Sequence, residues 1–133
     1  MSLAASIFSQ LSTDTAIVAA LGQAVGDSIR IYPGRAAPEA VAPYVVFQTI
    51  SAPPDVTHGE ASASGRHLIQ FSCVASTYLA ALTLGNLITA ALDSVTLAAG
   101  EVCLSCSPSE GFSEATDQFL RIVEADFFVP NAA

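Results

Sequence analysis

The chain has 133 residues, of which 52% are hydrophobic and only 12% charged; twelve acidic and four basic residues give a formal net charge of −8. That composition excludes a disordered chain, and the length suits one domain able to bury roughly two thirds of its unfolded surface. Charged residues make up about 25% of a typical soluble chain, so this little charge on this much apolar surface predicts a subunit that works within an assembly.

The four basic residues, Arg30, Arg35, Arg66 and Arg121, are scattered. They form neither the basic stripe that phosphate-backbone binding needs nor a polybasic membrane contact. No apolar run reaches the length of a membrane span. Met1 to Leu21 is apolar without a positive leading segment, so no signal peptide is expected. The odd count of three cysteines predicts free thiols in a reducing cytoplasm.

In chain order, Leu3 to Leu21 reads as helix in two pieces, with Leu3, Ile7 and Leu11 at helical spacing. Ser12-Thr13-Asp14 is a restart signal in which Ser12 or Thr13 can cap the second piece, and Gly22 or Gly26 ends it. Ser28 to Tyr32 is short and β-prone, stopped by Pro33-Gly34. Tyr44 to Ile50 is rich in β-branched and aromatic residues and reads as a strand. Ser51 to Gly65 is a long polar loop. Arg66 to Ala75 alternates strictly, with His67, Ile69, Phe71, Cys73 and Ala75 on one face. Ser76 or Thr77 caps a helix running to about Ser94. Val102 to Ser107 is a weaker strand, Ser107 to Thr116 a second loop, and Phe119 to Val129 the last strand. The sum is an α+β domain over residues 1–133, with an antiparallel sheet of about four strands, helices on one face, and long loops at 51–65 and 107–116.

Few residues form a pattern that carries chemistry. Cys103 and Cys106 would make a redox pair at a helix N-terminus, but they lie in a β-prone stretch, where positions three apart point to opposite faces. A zinc site would need two further ligands, and Cys73, His58 and His67 offer no second pair at ligand spacing. The expectation is therefore two small, partly buried thiols and no metal or cofactor. His58, with no nucleophile or orienting group beside it, reads as a solvated loop histidine, and His67 as the edge of the core. Glu110, Glu114 and Asp117 lack the alternation of a calcium loop and read as solvated loop charges.

The helix after Thr77 is more informative. Leu84, Leu87, Ile88, Ala91 and Leu92 form one broad apolar face, with Thr83, Asn86, Thr89 and Asp93 opposite. Leu79 and Leu82 fall on the polar side. They either lie beneath the N-terminal helix or a loop, or they form a subunit interface.

The landmarks have a recognisable order. A helix leads to Ile29-Arg30-Ile31-Tyr32-Pro33. Ala42-Pro43-Tyr44-Val45-Val46-Phe47-Gln48 and Thr57-His58-Gly59 follow. Arg66-His67-Leu68-Ile69-Gln70-Phe71-Ser72-Cys73 precedes Ser76-Thr77-Tyr78 and a helix ending near Ala91-Leu92-Asp93, and Phe119 to Val129 closes the series. This order resembles the tail-completion (tail-terminator) proteins of long-tailed bacteriophages and gene transfer particles; Cys103 and Cys106 stand outside it. The resemblance implies a structural virion protein and no enzyme. Such a protein, present in the host cytoplasm during assembly, forms a hexameric ring that caps the tail tube and joins it to the head-tail connector or stopper protein, with DNA passing through unbound. Another neck or head-completion subunit is the alternative, and a small metal-binding or hydrolytic enzyme a more distant one. Within this frame Leu79 and Leu82 are the candidate subunit interface. Asp55, His58 and Glu60 of the long loop are candidates to face the lumen or a partner.

Overall fold

The computed structural model describes residues 3–23, 29–34, 42–51, 55–57, 60–62, 65–93, 95–97, 100–113 and 118–129. Two short helices come first, α1 (Leu3–Ser12) and α2 (Thr15–Ala20). Asp14, rather than Ser12 or Thr13, caps α2: its carboxylate accepts hydrogen bonds from the backbone N–H groups of Ala16 and Ile17. A carboxylate there also meets the positive end of the helix dipole. The helix ends as the sequence suggests. Gly22, at φ 72°, donates to the Ala19 carbonyl and Gln23 to that of Val18, a Schellman closure that needs a left-handed residue.

Strands β1 (Ile31–Pro33), β2 (Tyr44–Ser51), β5 (Gly65–Ala75), β6 (Val102–Ser113) and β7 (Gln118–Val129) form one sheet in the order β1-β2-β5-β7-β6, and β3 (Asp55–Thr57) and β4 (Glu60–Ser62) form a separate hairpin. The expected four antiparallel strands are thus corrected to five in a mixed sheet. β1 pairs parallel to β2, Ile31 opposite Val45 and Pro33 opposite Phe47. The short β-prone stretch read from Ser28 to Tyr32 is this strand, shifted to Ile31–Pro33, but three residues carry no alternation from which its parallel pairing could be read. The 51–65 loop is corrected too, because it holds the β3–β4 hairpin. So is the 107–116 loop, because β6 runs on to Ser113. Pro108 and the serines read as a loop, but β6 is the last strand of the sheet, where a missing N–H need not break a ladder bond.

The alternation expected along β5 is present, and β7 alternates beside it. β5 and β7 pair from Gly65–Val129 to Ala75–Phe119 without a slip. Ile69, Phe71 and Cys73 share the inner face with Val45 and Phe47 of β2 and with Val123, Ala125 and Phe127 of β7, and all are buried. The helix α3 (Tyr78–Leu92) packs Leu84, Ile88 and Leu92 onto this face, while Ile7, Leu11 and Ile17 from α1 and α2 complete the core. Each fully buried Phe or Leu contributes roughly 1.5–3 kcal/mol. Arg30 stitches the layers, its guanidinium donating to the carbonyls of Leu21 and Pro43. Gln10 of α1 donates to the Ala91 carbonyl of α3.

Candidate functional site

The surface at the start of α3 is built from three elements. Thr77 begins the helix by accepting a hydrogen bond from the Ala80 N–H, as its position before the apolar run predicts. This places Tyr78, Leu79 and Leu82 on the first turns. Leu79 is 69% exposed, the most exposed of the large apolar side chains described, and Leu82 is half-buried on the same side of the helix. Of the two readings the sequence left open for Leu79, burial beneath another element of this chain does not hold.

Beside Leu79, Tyr78 is 48% exposed yet held from two directions. Its hydroxyl donates to Glu110 Oε1 of β6 at 2.8 Å, and its ring meets Phe119 of β7 edge-on at a centroid distance of 6.1 Å. The same Glu110 oxygen accepts from Arg121 Nη1 at 2.8 Å. Arg121 takes an inner-face position on β7, opposite Cys73. There its stem lies on Gly85 of α3 and only its tip reaches the surface. Glu110 is therefore not the solvated loop charge expected from sequence. It is a strand residue that joins a helix tyrosine to a strand arginine. No local signal could have found this, because the three residues meet only through the sheet register. The Glu110 hydrogen bond and negative charge hold the Tyr78 hydroxyl above its ordinary pKa. Burial pushes the Cys73 thiol up to about 12, against a smaller opposing pull from Arg121.

The second predicted region lies elsewhere. Asp55 opens β3 and Glu60 opens β4, with Glu60 paired to Thr57 in the hairpin; His58 lies outside the described residues, as do Glu114 and Asp117. The hairpin precedes Gly65 at one end of β5, and α3 follows Ala75 at the other. Ten residue steps of strand at about 3.3 Å each put roughly 33 Å between these ends, so the two candidate regions do not form one site. Near the hairpin end, a pocket of about 400 Å³ opens between Leu3 and Ile7 of α1 and Phe47, His67 and Ile69 of the sheet. His67 thus borders the core, as expected. Among the described residues no three of His, Cys, Asp and Glu cluster as metal ligands, and no helix is long and apolar enough to cross a membrane.

The arrangement presents an apolar residue beside an immobilised aromatic, which suits contact with protein. Comparisons with known proteins point the same way. Among curated protein sequences none matches the chain. Among solved structures, a chain from the virion of a native gene transfer agent particle is similar, with a TM-score of 0.64 at 20% identity, over 95% of this chain and 91% of that one. At that identity the likeness speaks for the fold. The family model described as tail completion protein gp17 matches residues 5–123, and the chain belongs to that family of structural tail proteins.

Proposed function

We propose that the protein is a ring subunit that caps the tail tube of a phage-type particle and joins the tail to the head connector. The family match over residues 5–123 carries this reading. In it the Tyr78–Leu79 surface, with Leu82 beside it, is the contact between neighbouring subunits. Interfaces concentrate their energy in aromatic anchors that are ordered before binding. Tyr78, fixed by Glu110 and Phe119, has that property, and Leu79 supplies apolar area that this chain does not cover. In a ring such a contact is head-to-tail, this surface meeting a different one on the neighbour, and it closes when the rotation between subunits allows it. The β3–β4 hairpin, attached at the far end of β5, is then free to meet the lumen or the tube.

Size-exclusion chromatography with light scattering and negative-stain imaging of the purified chain, alone and with tail-tube protein, tests this. Hexameric rings, or capped tube ends, are expected. A chain that stays monomeric and does not bind tube ends overturns the reading.

A further inference from the structure

Cys103 and Cys106 occupy one face of β6, against the expectation for residues three apart in a strand. The cause is a β-bulge. Cys103 pairs with Phe127, Ser105 with Asp126 and Cys106 with Ala125, so Leu104 is the additional residue. An inserted residue reverses the alternation beyond it. Both sulfurs therefore turn to the inner face, and they lie 3.6 Å apart.

We propose that Cys103 and Cys106 form a reversible intrachain disulfide, a modification site built on the β6 bulge. The register sets its feasibility. Phe127 and Ala125 are two residues apart on β7, so the paired cysteine Cα atoms are separated by about 6.7 Å. That is at the long end of the range of about 4.4–6.8 Å that disulfides span. A bridge at that limit is of the reducible kind, not a permanent staple.

The environment divides the work between the two thiols. Cys106 is half-buried on the sheet's edge strand and accessible, whereas Cys103 is 1% exposed. The hydrogen bond between them pulls Cys103 below its ordinary pKa and holds Cys106 above it. A small-molecule disulfide supplies the oxidant. Cys106 passes its proton across the hydrogen bond to the Cys103 sulfur as it attacks one of the disulfide's sulfurs, forming a mixed disulfide and releasing the first small thiol, which takes up the proton when Cys103 gives it up again. The Cys103 thiolate then attacks the Cys106 sulfur, forming the intrachain bond and releasing the second. Two protein thiols lose two protons and two electrons, and the small disulfide is reduced to two thiols. Closure ties the two sides of the bulge together and holds Leu104, which is 48% exposed, on the outside.

The test is incubation of the folded full-length chain with oxidised glutathione, followed by alkylation under denaturing conditions and mass spectrometry. The expected product has lost the mass of two hydrogens, takes alkyl only on Cys73, and yields a Cys103–Cys106 linked peptide. Cys103→Ser should stop at a stable glutathione adduct on Cys106, and Cys106→Ser should not react while folded. Dithiothreitol should restore all three thiols. The proposal is overturned if the wild-type chain keeps three free thiols in a glutathione buffer that oxidises a reference dithiol protein. It is overturned equally if the product is a persistent adduct or a disulfide between two chains.

Discussion

Arg121 lies across Gly85: a Cβ built on the glycine would come within 2.3 Å of Arg121 Cγ and 3.2 Å of its Cβ. Contacts that short leave no room for any other residue at this position of α3. A mid-helix glycine ordinarily costs up to about 1 kcal/mol relative to alanine. Gly85→Ala should nevertheless destabilise, by about 1–3 kcal/mol, because Arg121 must leave its place and release Glu110. Urea denaturation checks the sign. With Arg121→Ala present the obstacle is gone, so the double variant should lose less than the sum of the single losses.

The Gly85–Arg121 contact also illustrates what a sequence can convey. The helical face of Leu84, Ile88 and Leu92, the Thr77 cap and the alternation of β5 are periodic or local signals, and all are present in the structure. Glu110, Tyr78 and Arg121 were in view as residues but not as a group, because register alone brings them together. The same holds for Cys103 and Cys106, whose shared face depends on one inserted residue. The length of β6 was hidden by Pro108 and its serines, which an edge strand tolerates. β1 shows in the sequence as a short β-prone stretch, but three residues carry no sign of its parallel pairing with β2.

Leu79→Asp tests the proposed subunit contact. Leu79 is largely exposed in the single chain, so the variant should melt cooperatively with stability within about 0.5 kcal/mol of wild type. Its elution in size-exclusion chromatography should shift to the monomer. Adding Leu82→Asp should strengthen the assembly defect, with some loss of stability because Leu82 is half-buried. If Leu79→Asp keeps its rings, the contact lies elsewhere.

Alkaline stability should depend on Cys73. Its folded pKa of about 12 stands above the ordinary 9.0. The unfolded thiol therefore loses its proton first, so the contribution is complete below about pH 9 and is lost as the pH rises toward 12. Tyr78, also raised, acts in the same direction. Denaturation midpoints should fall across this window, and Cys73→Ala should flatten the fall. Below the window, Cys73 should resist alkylation until the chain unfolds.

Charge reversal tests the hairpin. A ring through which DNA slides benefits from walls that repel phosphate, and the chain is strongly acidic with no lysine. If Asp55 and Glu60 face the lumen, Asp55→Lys with Glu60→Lys should leave rings intact but slow DNA packaging and ejection. Particles that package and eject at the wild-type rate would assign these acids to solubility.

The strand order β1-β2-β5-β7-β6 has a consequence for how the molecule is made. β7 is translated after every other strand described, yet it occupies an interior place between β5 and β6. Until it leaves the ribosome, Phe127, Ala125 and Val123 are missing from beneath α3, and β6 lacks the strand it pairs with along its length, keeping only the Thr96–Val102 bridge. A nascent chain stalled before Gln118 therefore exposes the open edge of β5, an almost unpaired β6 and an open core. Folding of the sheet awaits the synthesis of β7, and this apolar chain depends in that interval on whatever shields its unfinished sheet from other nascent copies.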